Sequence, residues 1–399
     1  MRLHHDEATE AFRAEFIAWV DDNLPTPEER SEPVLSSAHL PPWARAWQRR
    51  MFDAGWLVPG WPPEHGGRHA TPVQQLVYLE EIARRQIPRG FNPQGLSIIA
   101  PSILDVGTEE QRQRYALPTL RGEIAFCLGM SEPDAGSDLA GLRTGAELDG
   151  DHFVVNGQKV WTSGAHHADF CFCFVRTDHT VPKHQGISAL IIDMSTPGIS
   201  VRPLGELTDP RHTDFNEVFL TDVLVPRENL VGDLNRGWSI AGGSLAHERG
   251  MLWMTSATGL ERDIDDLIDL AGRPLADGSR LADAPLFRSN LARAYMEAQA
   301  MKLMGYRGFA KFARGMDSPE HSILKLYGSE ISRRVALEVT EALGPLGMDL
   351  DRGPTTVFGH DDVAWPTRYL RSFAGTIAGG TSEVQHNIIA ERVLGLPRR

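Results

Sequence analysis

Cysteine is nearly absent from the 399 residues: only Cys127, Cys171 and Cys173 occur. That is too few for a disulfide framework and suits a reducing compartment. No apolar run approaches the ~20 residues needed to cross a bilayer, so no stable membrane insertion is expected. Cations are in deficit, 40 Lys plus Arg against 53 Asp plus Glu, giving a net charge of −13. Such a surface repels phosphate backbones and argues against a nonspecific nucleic-acid binder. No GxGxxG follows a strand and no GxxxxGK[ST] occurs, so neither a Rossmann fingerprint nor a P-loop is supported. The opening stretch MRLHHDEATEAF is too acidic and polar for a signal or transit peptide, and a cytoplasmic setting is expected. There is no internal repeat and no low-complexity tract.

What is present is a globular balance, 41% apolar and 23% charged. At roughly 100–200 residues per domain the length allows two to four domains. Residues 1–122 read as an all-α domain. Phe12, Phe16, Trp19 and Val20 recur at helical spacing, and Trp43, Trp47, Arg50 and Met51 continue the pattern. Trp56 to Gly67 is dense in Pro and Gly and reads as a loop, and Pro72–Arg85 as a helix. Residues 123–235 change to a mostly antiparallel β domain. Phe153–Val155 and Lys159–Trp161 read as strands joined by an Asn156-Gly157 hairpin turn. Asp169–Val175, Ile187–Ile192 and the surroundings of Val201, Phe215, Val218 and Phe219 supply further strands. Residues 236–399 return to helices. Ser318-Pro319 starts one whose stripe is Ile323, Tyr327, Ile331, Val335 and Val339. Ser382-x-x-Gln385 resembles a capping box for the last helix, with Gly395 and Pro397 as stop signals. The fold class is α+β, multi-domain.

Four constellations can carry chemistry. Gly129 to Asp138 (GMSEPDAGSD) forms an irregular loop whose amides can face a ligand, or a plain connection into the β domain. Trp161-Thr162-Ser163 places hydroxyls beside an aromatic, which suits a planar heterocycle, although a Trp ending a strand is commonly core. A helix beginning near Trp238 sets Glu248 among Ala241, Leu245, Leu252 and Thr255 on one face. A carboxylate there is either a general base with a raised pKa or half of a structural ion pair. Gly379-Gly380-Thr381-Ser382 opens the last helix and either binds phosphate or merely caps. Cys171-x-Cys173 with His166 and His167 suggests a metal, but the cysteines alternate with Phe170, Phe172 and Phe174 and read as strand core; no metal is expected.

Taken in order, GW…GG at Gly55 to Gly67, EEIA at Glu80 to Ala83, MSEPDAGSDLAGLRT, VNGQKVWTSGA and IAGGTSEVQHNIIAERVLGLPR resemble the acyl-CoA dehydrogenase family of flavoproteins. The resemblance spans nearly the whole chain. It implies a helical N-terminal domain, a β-barrel-like middle domain, a C-terminal four-helix bundle and an FAD cofactor. It also implies that Leu128, Met130 and Ser131 (where Thr is common) meet the flavin ring. Gly136 and Ser137 would lie near the pyrophosphate, with Ser137 also near the acyl-CoA. Trp161 and Ser163 would flank the isoalloxazine, and Thr381 and Glu383 the ADP portion. Gly379 stands where many members carry the catalytic Glu. A second branch, with bacterial members, carries its base in a Glu-Arg pair on the first C-terminal helix, matched here by Glu248-Arg249. Glu248 would then take the α-proton as the β-hydride passes to flavin N5, giving a trans-2-enoyl thioester. Arg249 would lie at the substrate, and the Gly379 N–H would hold the thioester carbonyl.

The family's Arg-x-x-Phe-Gly is replaced by Ile268–Arg273, so Arg273 substitutes for its Arg or a partner chain supplies that contact. Gly344 lies in a cofactor-side stretch, Glu341–Pro345, that lacks the usual Gln. FAD usually crosses a subunit interface, so a homotetramer or heterotetramer is implied, with an electron-transfer flavoprotein as electron acceptor. A flavin oxidase or monooxygenase of the same fold, and a subunit that only completes a heteromeric dehydrogenase, are the competing readings. The acyl group stays open among straight, branched, aromatic and steroid-like chains, as does a carrier-protein thioester.

Overall fold

Asp6 caps the first helix, its carboxylate accepting the Thr9 N–H at 2.8 Å, and α1 (Glu7–Asn23) then buries Phe12, Phe16 and Val20 on one side. The computed structural model describes residues 5–89, 91–208, 213–242, 252–274, 278–312, 314, 316, 320–345 and 364–397. α2 (Pro42–Asp53) buries Trp47 and Met51 while Arg50 faces solvent. A Thr71/Gln74 capping box starts α3 (Pro72–Arg84), which ends one residue short of the expected Arg85. A π-helical turn, Gly95–Ile99, leads into α4 (Ala100–Val106). α5 runs from Glu109–Gln111 through a second π turn, Arg112–Ala116, to Leu117–Leu120.

The middle of the chain is one eight-stranded sheet. Its strands are β1 (Phe126–Gly129), β2 (Gly145–Asp149), β3 (His152–Lys159), β4 (Phe170–Arg176), β5 (Ile187–Asp193), β6 (Ile199–Pro203), β7 (Asn216–Pro226) and β8 (Leu230–Val231). The order is β6-β7-β3-β2-β4-β5-β8, with β1 also on β4. Most pairs are antiparallel, but β1 and β2 both run parallel to β4: Phe126–Gly129 beside Phe170–Cys173, and Gly145 beside Arg176. β1 and β2 therefore share one edge of β4, end to end, separated by the loop that carries Glu132 to Asp138.

The expected Asn156-Gly157 hairpin is corrected. Both residues lie inside β3, where the register against β7 shifts between Val155 and Gly157, a bulge. Thr144 lies so close that a Cβ on Gly157 would meet its Oγ1 at 2.5 Å. The Asn156 side chain is spent on Asp222. The real hairpin joins β2 to β3, Asp149 facing His152 across Gly150.

Alternation along β4 divides the interior. Phe172 and Phe174 join a core shared with the N-terminal and C-terminal helices, whereas Cys171, Cys173 and Val175 join Cys127, Phe153, Val155 and Leu190 in a second core. The cysteines are thus strand core, as expected. A hydrogen bond with Cys127 and burial hold the Cys171 thiol far above the usual range, and a hydrogen bond with Cys171 and burial do the same for Cys173, which leaves both protonated.

The C-terminal helices are α6 (Leu252–Gly272), α7 (Pro285–Phe312), α8 (Glu320–Ala342), α9 (Trp365–Ile377) and α10 (Ser382–Ile388). α6 packs on α3 and α7, and α8 packs on α7, α9 and α10. Ile331, Val335 and Val339 are buried along α8 as the spacing predicts. Its expected cap, Ser318-Pro319, lies outside the described residues. The expected Ser382 capping box is also corrected: Thr381 is the N-cap, accepting the Val384 N–H, and Gln385 donates to the Gly379 carbonyl. Ser382 turns instead to Glu330 on α8, donating to its carboxylate at 2.6 Å.

Candidate active site

β1 ends at Gly129, and its continuation, Met130-Ser131, comes alongside the end of β3. The Val160 N–H donates to the Ser131 carbonyl at 2.9 Å. Leu128, Met130, Ser131, Trp161 and Ser163 are thereby brought to one edge of the sheet. Trp161 is not core: it is 62% exposed, adopts φ 59° and rests its ring edge-on against Phe215 with centroids 5.9 Å apart. Thr162 is fully buried and fixed on both sides, its N–H donating to the Asn216 carbonyl and its carbonyl accepting from the Asn216 amide. Thr162 therefore anchors the wall while Trp161 is presented to solvent.

The loop before β2 is held by groups to which the sequence reading gave no role. The Glu132 carboxylate is buried and accepts from Arg143 N–H (2.6 Å), Thr144 N–H (2.9 Å) and Lys159 Nζ (2.8 Å). Burial alone would raise its carboxyl, but Lys159 and these donors outweigh that and hold it below the ordinary value. Lys159, only 1% exposed at its side chain, also donates to the Met130 carbonyl at 3.3 Å. The Arg176 guanidinium ties the far side of the loop by donating to the Ala140 and Leu142 carbonyls. Between these anchors Gly136 and Ser137 are exposed, and among the described residues nothing outside the chain neighbours lies within 4 Å of where a Gly136 side chain would point.

A seam with the N-terminal domain backs this wall. Ser37 donates its N–H and hydroxyl to Asp214, whose carbonyl accepts the Gly164 N–H. His167 contacts Ser36 at 2.9 Å, and its ring lies tilted against those of His166 and His39. Asn92 bonds both the carbonyl and the N–H of Phe126, fixing the start of β1.

The second group sits on the helical bundle. Gly379 has φ 67°, which favours glycine, and among the described residues no atom outside its chain neighbours lies within 4 Å of where its side chain would be. Its N–H makes no backbone hydrogen bond among the described residues. Lys325 of α8 donates to the Gly380 carbonyl at 2.6 Å. Glu383 is exposed, and its carboxyl is lowered by its own backbone N–H and by Thr381. Arg273 and Gly344 are exposed near the ends of α6 and α8. Among the described residues, no hydrogen bond or ion pair joins Arg273, Gly344 or the Gly379–Glu383 turn to the sheet edge. Glu248 and Arg249 lie outside the described residues; residues 237–242 are helical, with Ile240 and Ala241 buried.

Family models for the acyl-CoA dehydrogenase N-terminal, middle and C-terminal domains match residues 6–123, 127–223 and 235–394. Acyl-CoA dehydrogenase IpdE1 of Mycobacterium tuberculosis is 37% identical over 397 residues, 98% of each chain. The chain belongs to the acyl-CoA dehydrogenase family. The human mitochondrial short-chain specific acyl-CoA dehydrogenase is 26% identical over 366 residues, 90% of this chain and 84% of that protein. The crystal structure of the ChsE4-ChsE5 complex from Mycobacterium tuberculosis is 33% identical with a TM-score of 0.80, covering 100% of both chains. The Tcur3481-Tcur3483 steroid ACAD gives 30% identity and a TM-score of 0.81, again over 100% of both.

An acyl-CoA dehydrogenase family member is an FAD-dependent oxidoreductase, and the residues here fit that group. The exposed Trp161 ring offers a planar face, Ser131 and Ser163 carry hydroxyls beside it, and the loop tip at Gly136 is open. Lys159 and Glu132 escaped assignment because the hairpin expected at Asn156-Gly157 broke the alternation of β3 that sets Lys159 on its buried side.

Proposed function

We propose that the chain catalyses α,β-dehydrogenation of an acyl-CoA thioester to the trans-2-enoyl-CoA, with Glu248 as the base that takes the α-proton. The observation that carries this choice is Gly379, a side-chain-free position that no described residue crowds, where many members hold their base. The carboxylate must then come from elsewhere, and helical spacing puts Glu248 on an apolar face, where desolvation raises a carboxyl toward general-base range. Bound FAD supplies the acceptor for the β-hydride. Trp161 and Ser163 would flank its ring, Leu128, Met130 and Ser131 would meet it, and Gly136 and Ser137 would lie near the pyrophosphate. The unengaged Gly379 N–H polarises the thioester carbonyl, with Ser137 and Arg249 at the substrate. Thr381, Glu383, Arg273 and Gly344 face cofactor across a subunit boundary.

The domain limits follow as 1–122, 123–235 and 236–399. The chain works in the cytoplasm, in lipid or sterol catabolism, and passes electrons to an electron-transfer flavoprotein. Among the described residues no helix is long and apolar enough to cross a membrane. Two solved complexes named for two unlike chains match over the full length, and this favours a heterotetramer over a homotetramer.

The test is anaerobic mixing of the flavin-loaded protein with acyl-CoAs of straight, branched, aromatic and steroid-like chains. Bleaching of the visible flavin band by at least one, with slow reoxidation by O₂, is expected. Rapid reoxidation by O₂ would mark an oxidase instead. A colourless chain that takes up flavin only with a second subunit would mark a completing subunit.

A further inference from the structure

β1 and β3 are not ladder partners. Going from β3 the order passes through β2 to β4, and β1 lies on β4 beyond the end of β2. The two segments nearest the flavin, Met130-Ser131 and Trp161-Ser163, therefore leave strands that no continuous ladder holds together. Among the described residues three hydrogen bonds join them: Val160 N–H to the Ser131 carbonyl, Lys159 Nζ to the Met130 carbonyl, and Lys159 Nζ to Glu132. Glu132 also closes the intervening loop on itself through the Arg143 and Thr144 N–H groups. Both charges are almost wholly removed from water, at 1% and 7% side-chain exposure. Such a pair adds little stability over an apolar pair of the same shape, but it defines position, because either charge alone is costly.

We propose that Lys159 and Glu132 are positioning residues for the flavin: their ion pair closes the gap between β1 and β3 and sets the spacing of the two segments that meet the ring. This rests on the family's FAD site. Neither side chain needs to touch the cofactor. Lys159 acts through the Met130 carbonyl, and Glu132 through the two ends of the 132–144 loop.

The full-length protein is compared with Lys159→Met, Glu132→Gln and the double variant. For each, the thermal midpoint without FAD, the FAD dissociation constant and the visible flavin spectrum are measured. Lys159→Met leaves Glu132 charged and uncompensated, so a lower midpoint and at least tenfold weaker FAD binding are expected. The double variant carries neither charge, and its carboxamide oxygen accepts from only one of the Arg143 and Thr144 N–H groups, so its midpoint rises above that of Lys159→Met but stays below that of the unaltered protein. Its FAD binding stays at least tenfold weak and its spectrum stays shifted, since the Met130 carbonyl has lost its donor. Native affinity and spectrum in the double variant would overturn the proposal, leaving the pair a matter of packing. So would a Lys159→Met protein with a lowered midpoint and unchanged FAD affinity. If Lys159→Met does not fold, the double variant, close to isosteric at both positions, decides alone. Failure of the unaltered chain to take up FAD would count against the cofactor reading and not against this pair.

Discussion

The sheet edge at Ser131 and Trp161 and the bundle turn at Gly379–Thr381 both carry residues proposed to meet the cofactor, yet they are held by opposite means. At the sheet edge a buried ion pair, a buried guanidinium and two buried amides, Asn216 and, across the seam with the N-terminal domain, Asn92, fix the loop and its flanks. At the turn, glycines with positive φ are held by α8 through Lys325 to the Gly380 carbonyl, and by the Thr381 cap. The first is set by burial and strand topology, and its geometry is complete within one chain. The second is set by local turn chemistry, and its open side at Gly379 leaves space for substrate or a partner.

Four changes test that contrast in decreasing size. Lys159→Met should destabilise the FAD-free protein by about 3–5 kcal/mol in urea unfolding, the cost of leaving one buried charge unpaired. Lys325→Met, the matching change at the turn, should cost only about 1.5–3 kcal/mol in the same experiment, because a single charge-assisted bond is lost at a half-buried site. Equal losses would remove the distinction. Thr381→Ala should cost about 1 kcal/mol, as for other N-caps, with a loss near zero showing that α10 is held by packing alone.

The smallest effect is expected at the seam behind Trp161. Burial, with His166 and His39 beside it and Asp214 opposing, holds His167 at about 4 against an ordinary 6.5. The unfolded chain therefore binds this proton more readily, and stability falls as pH drops from 6.5 toward 4. The effect is modest because the ring keeps solvent contact. His167→Asn should flatten that part of the melting-temperature profile, and an unchanged slope would place the acid sensitivity elsewhere.

Much of this was legible in the sequence where a period ran uninterrupted. Phe12, Phe16 and Val20, or Ile331, Val335 and Val339, became buried stripes because helical spacing leaves few alternatives. The Asn156-Gly157 turn failed because the dipeptide is a strong local signal, overruled here by the close approach of Thr144. That error hid another. Read as one strand, β3 alternates Phe153, Val155 and Lys159 on its buried side, which would have placed a lysine in the interior and called for a buried carboxylate. Trp161 left the core because its left-handed backbone swings it out of the strand, and spacing carries no record of that. Thr381 instead of Ser382 as N-cap is a shift of one residue, within the usual uncertainty of helix ends. The family motifs led to the same sheet edge, yet they do not reveal what holds its two sides together.

The most direct test of the central claim is stopped-flow flavin reduction by an active acyl-CoA, comparing Glu248→Gln with the unaltered protein at equal FAD content. With Glu248 as the base and Gly379 contributing only its N–H, reduction should slow by about 10²–10⁴-fold while substrate still binds. Reduction by Glu248→Gln at the unaltered rate would contradict it.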